Sequence, residues 1–182
     1  MNSAVVNATV LVAGVGNIFL GDDGFGCEVA LSLGRRGPLE SVAVKDFGIR
    51  GFDLAYALLD AWDAVILVDA LARGEVPGTL YLVEPDLAEL GSAASPDAMV
   101  DPHGMDPMHV LQLAASMGAI SARVLVVGCE PNDFGDELEG RMGLSPEVQG
   151  AVEAAADMVE ELAGRILAGK DKHPMQLQTV EG

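Results

Sequence analysis

The stretch ATVLVAGVGNIFLGDDGFGCEVALSLGRR, residues 8 to 36, decides the fold. It opens on a continuous apolar run, ATVLVAG (8–14), and passes into a glycine-rich turn, GVGNIFLGDDGFG (14–26). It then continues as a helical segment, residues 24–36, with Asp22 and Asp23 before it and Arg35 and Arg36 at its end, the charge order a helix dipole favours. A glycine-rich turn between strand and helix ordinarily lets backbone N–H groups approach a phosphate. Here the two adjacent carboxylates repel one, so the turn suits a cation or a proton.

Four more β-rich runs follow: SVAVKDF (41–47), AVILVDA (64–70), GTLYLVE (78–84) and ARVLVVG (122–128). Most are continuously apolar and not alternating, the pattern of strands buried on both faces. Helical segments are predicted at 52–60, at 107–117 opening on Pro107, and at 146–167, where Val148, Val152, Ala155, Val159 and Leu162 recur at helical spacing. Strands alternating with helices predict an α/β fold: a single three-layer domain with a twisted, mainly parallel five-stranded sheet and helices on both faces. ALARGEVPG, between the third and fourth strands, is too short for a helical crossover, so the fourth strand is expected antiparallel at an edge. The domain is expected over residues 1–168, with 169–182 as a flexible tail. Residues 85–106 carry no strong pattern, and a segment of that kind inside a compact domain is often functional.

Composition excludes several classes. With 28 acidic against 10 basic residues the formal net charge is -18, which disfavours nucleic acid and anionic membranes. No run reaches the ~20 apolar residues of a membrane span, and the first residues lack a basic n-region, so no membrane insertion is expected and the chain reads as cytoplasmic. Cys27 and Cys129 have no paired metal spacing and read as reduced thiols. No coiled coil or long apolar stripe is evident, and a monomer is expected.

In a doubly wound sheet, ligands gather where loops leave the C-terminal ends of the strands. Asp22 and Asp23 leave the first strand there, and Asp69 ends the third. DPHGMD (101–106) adds His103. Two carboxylates and an imidazole suit a borderline divalent ion such as nickel or zinc. Plainer roles stand beside each of these: Asp22 is read as a cap of the following helix, Asp23 as a cap or a ligand, Asp69 as a turn residue or a ligand. Alone, His103 would be a loop histidine; its convergence with the aspartates singles it out. His109 and His173 are not read as ligands. Cys129 is read as a small buried thiol, with Glu130 opposing its ionisation.

Taken together, GVGNIFLGDDGFG, DFGIRGFDLAY (46–56), VILVDA, DPHGMDP, VVGCEP (126–131) and GLSPEV (143–148) resemble the NiFe-hydrogenase maturation endopeptidases, in order from about Val10 to Leu167. The resemblance implies an endopeptidase that removes the C-terminal extension of a nickel-loaded large-subunit precursor, the nickel being supplied by that precursor. It places the family's metal-contacting and catalytic positions on Asp23, Asp69 and His103. Some members carry Glu at the first of these, and the shorter Asp23 shifts the carboxylate. The resemblance also implies that Gly48–Gly51 line the substrate groove, where Arg50 is a candidate partner for a peptide carboxylate. Two alternatives stay open on residues alone. One is a Rossmann-like nucleotide-binding module, although Phe19 replaces the third glycine of G-x-G-x-x-G. The other is a non-catalytic metal-binding maturation chaperone.

Overall fold

The computed structural model describes residues 9–90, 106–135, 138–169 and 178–180. The strands are β1 (Val10–Val15), β2 (Val42–Gly48), β3 (Ala64–Ala70), β4 (Leu80–Val83), β5 (Arg123–Cys129) and β6 (Gln178–Val180). The helices are α1 (Phe25–Arg36), α2 (Gly51–Ala57), α3 (Leu87–Leu90), α4 (Pro107–Met117) and α5 (Pro146–Leu167), with a 3-10 turn at Gly21–Gly24. They build one sheet in the order β2-β1-β3-β5-β4-β6. β2, β1, β3 and β5 run parallel, and β4 runs antiparallel to β5, as expected.

The alternation along the central strands divides the core in two. Val10, Val12, Ile66, Val68, Leu125 and Val127 face α1 and α5, whose Phe25, Val29, Leu33, Val152 and Val159 cover them. Leu11, Ala13, Val65, Leu67, Val124 and Val126 face the opposite way, against Leu54 and Leu58 after β2 and Val110, Leu111 and Ala114 of α4. Every residue of β1 and β3 is buried, which explains why both read as unbroken apolar runs. Arg36, in the last turn of α1, ties the two helices of one layer by pairing with Glu153, Asp157 and Glu160 of α5.

Three local features differ from the sequence expectation. The tail contributes β6, which pairs antiparallel with β4 and takes the edge position beyond it; β4 otherwise leaves a row of backbone donors and acceptors unpaired. Within the patternless stretch, Leu87–Leu90 form a turn of helix, and Asp86 Oδ1 accepts the Ala88 N–H at 2.9 Å. The segment read as helical over 52–60 stops at Ala57, whose carbonyl accepts the Trp62 indole N–H at 2.8 Å.

β1 leads to β2 on one side, while β3 lies on the other. Loops after β1 and β3 therefore diverge, and the crevice between them is the topological switch point.

Candidate functional site

Two glycines bring the acidic turn onto that crevice. At Gly26 an added Cβ would stand 2.0 Å from the Val68 carbonyl oxygen and 2.3 Å from that of Val15, so α1 starts hard against the ends of β1 and β3. At Gly16, φ is +129°, and a Cβ would stand 1.8 Å from the Asp23 carbonyl oxygen and 3.6 Å from Asp69 Oδ1. The backbone of Asp23 and the side chain of Asp69 thus converge on one position that admits only glycine.

Asp23 is half-buried, and its Oδ2 accepts the Asn17 N–H at 2.8 Å. Asn17 Oδ1 in turn accepts the Phe19 N–H at 3.0 Å, which braces the turn. Burial pushes the Asp23 carboxyl up, against the lowering effect of the Asn17 bond. Asp69 is 3% exposed. Burial, then the charges of Asp23 and Asp106, push it well above the ordinary carboxylate value, and the Ala70 N–H at 2.8 Å offsets only part of this. Two neighbouring carboxyls that resist ionisation together hold a proton or await a cation. A divalent ion would relieve both the burial cost and the repulsion, so the donor chemistry fits one.

Asp46 joins this group and was not singled out in the sequence. The Cys27 thiol, which donates to the Gly16 carbonyl at 3.4 Å, is pushed up to about 12 by burial, by a hydrogen bond with Asp46 and by the charges of Asp46, Asp69 and Asp23. The available signal was the one acid of β2, which follows Lys45 and stands two residues before the strand's last residue, Gly48. Among the described residues no group of three His, Cys, Asp or Glu side chains is placed to hold a metal. His103 lies outside the described residues, as does His173. His109 is exposed on α4, 4.0 Å from Asp106.

Asp22 does not cap α1, whose N-cap is Gly24 with no side-chain bond. The side chain turns the other way, is fully buried, and accepts from Asn132 N (2.8 Å), Asp133 N (2.9 Å), Ser145 N (2.6 Å) and Ser145 Oγ (2.9 Å). Burial would raise its pKa, but these donors outweigh it and hold Asp22 below the ordinary value. Asp22 is therefore an ionised clamp joining the β1 turn to the β5–α5 connection. Arg50 also departs from expectation. Its guanidinium folds back onto its own loop, donating to the Phe47 carbonyl at 3.0 Å and to that of Asp46.

Cys129 is fully buried, and burial with the charges of Asp22 and Glu130 pushes its thiol up to about 12. It remains protonated at neutral pH, consistent with an inert thiol. Glu130 is occupied by Tyr81 Oη at 2.5 Å and by the Arg73 and Gly74 N–H groups at 2.8 and 3.1 Å.

Comparison with known proteins converges on one group. A hydrogenase maturation protease family model matches residues 27–162. The hydrogenase expression/formation protein HoxM of Azotobacter vinelandii is 33% identical over 155 residues, covering 81% of this chain and 72% of that protein. Among solved structures, a hydrogenase 2 maturation peptidase from Thaumarchaeota archaeon SCGC_AB-539-E09 is 32% identical with a TM-score of 0.61, covering 85% of this chain and 97% of that one. The hydrogenase maturating endopeptidase HybD from Escherichia coli is 25% identical with a TM-score of 0.64, covering 94% of this chain and 96% of that one.

Proposed function

The chain belongs to the hydrogenase maturation protease family, and from that premise we propose that Asp23 and Asp69 receive the nickel carried by a hydrogenase large-subunit precursor and so direct removal of its C-terminal extension. The observation that carries this is the convergence of the Asp23 turn and the Asp69 carboxylate on Gly16 at the switch point. Asp69 keeps a raised pKa there, so the pair favours a cation over two bare charges.

His103 completes the proposed donor set. Asp106, three positions later in the chain, acts on Asp69 through its charge, which supports the inclusion of His103 in that set. Nickel bound to the precursor would supply a Lewis acid able to polarise the scissile carbonyl or position water. The protein's own part is to present two oxygen donors in a water-poor crevice and to fix the peptide against them. A monomer docking transiently on the precursor in the cytoplasm belongs to the same proposal. No helix among the described residues is long and apolar enough to cross a membrane.

The test is intact-mass spectrometry of a large-subunit precursor incubated with the protein, once loaded with nickel and once without it. Loss of one C-terminal peptide from the loaded form alone supports the proposal. Equal cleavage of both forms would remove nickel from it.

A further inference from the structure

The chain has five Phe, two Tyr and one Trp, yet apolar side chains stand out into solvent on two loops beside the carboxylate pair. Ile18 and Phe19, on the β1 turn, are 41% and 57% exposed; Phe134 and Met142, on the β5–α5 connection, are 40% and 71% exposed.

These loops are firmly joined. The Arg141 N–H donates to the Phe19 carbonyl at 2.7 Å, the Gly21 N–H to the Arg141 carbonyl at 2.8 Å, and the Asp22 N–H to the Asp133 carbonyl at 3.0 Å. The Asp22 carboxylate accepts from Asn132 and Asp133, and Arg141 pairs with Asp133 at 2.5 Å. A Cβ on Gly21 would stand 2.7 Å from the Asp133 carbonyl oxygen, so the loops touch backbone to backbone. Exposed apolar groups held this way lose little further freedom when covered, which is the property of a built interaction surface. Aromatic residues and methionine with an arginine beside them are also the composition of binding hot spots.

We propose that this two-loop platform docks the hydrogenase large-subunit precursor through an apolar surface next to the precursor's metal, an inference that rests on the proposed role of Asp23 and Asp69. The occupant follows from geometry. Asp69 is 3% exposed, so a metal still held by another protein reaches it only when that protein presses against the turn carrying Asp23. Asn17 binds Asp23 Oδ2 and the Phe19 N–H at once, so the platform begins on that same turn.

The experiment is biolayer interferometry of nickel-loaded precursor on the immobilised full chain, with cleavage kinetics in parallel. Phe19→Ser combined with Met142→Ser is expected to weaken binding about tenfold and to raise KM while kcat is held. Phe19→Leu with Met142→Leu restores both, and melting temperatures match the parent because the side chains are exposed. Phe134→Ser gives an independent second variant. Parental affinity in both Ser variants overturns the docking role while leaving the carboxylate pair standing. Loss only of self-association, read by sedimentation, overturns it in favour of a second copy. Undiminished cleavage by Asp23→Asn instead overturns the role of the carboxylate pair.

Discussion

Asp22 and Ser145, 123 positions apart in the chain, meet through a 2.6 Å bond from the Ser145 N–H to Asp22 Oδ1 and a 2.9 Å bond from Ser145 Oγ to Oδ2. Ser145 is the N-cap residue of α5 and makes no side-chain bond to its own helix. One buried carboxylate thus serves both the start of the last helix and the turn that presents Asp23. Asp22→Ala strands buried donors and should cost about 3 kcal/mol, roughly 10 °C in Tm for a domain of this size. Because its pKa is lowered on folding, the stability Asp22 contributes is present above the ordinary carboxylate pKa and is lost as pH falls through its folded value. The gap in Tm between parent and variant should therefore narrow below about pH 4.

Asp69 carries the opposite sign. Its folded pKa is raised, so the native state binds more protons than the unfolded chain above the ordinary carboxylate pKa, and stability falls as pH rises through that window. Asp69→Asn should raise the Tm of the metal-free protein at neutral pH and leave it nearly unchanged near pH 4. A pH series by calorimetry reads this directly, and a lower Tm for the variant at neutral pH would contradict it.

Gly16→Ala cannot be accommodated without moving Asp23, since the added carbon would stand 1.8 Å from the Asp23 carbonyl oxygen. An ångström of displacement at a reacting centre costs on the order of a hundredfold in rate. Cleavage by a folded Gly16→Ala variant should fall by about that much, with circular dichroism confirming the fold.

Both thiols are pushed up to about 12. Iodoacetamide at neutral pH should leave Cys27 and Cys129 unmodified in the native protein and alkylate both in denaturant. Cys129→Ser should retain cleavage, which separates this site from a cysteine nucleophile.

The central strands and the long helices were legible because their signals are local. AVILVDA forms β3 over the same residues, and Pro107 and Pro146 open α4 and α5 where proline fits a first turn. Asp23 and Asp69 were legible as neighbours because parallel strands deliver their loops to one end of the sheet. The role of Asp22 was not, because its partners lie 110 to 123 positions away and a cap of the next helix was the nearest local explanation. β6 has only three residues and pairs with β4, about a hundred positions earlier, which no periodicity within the tail can announce. Arg50 was legible as a loop cation, but not that its own Phe47 and Asp46 carbonyls would occupy it.

The most direct measurement is intact-mass analysis of nickel-loaded precursor incubated with Asp23→Asn, beside the parent and with the variant's fold checked by its Tm. Asp23 accepts only the Asn17 N–H among the described contacts, so the amide should leave the turn folded while weakening the donor. The precursor should keep its full mass with the variant and lose its C-terminal peptide with the parent. Cleavage at the parental rate by the folded variant would contradict it.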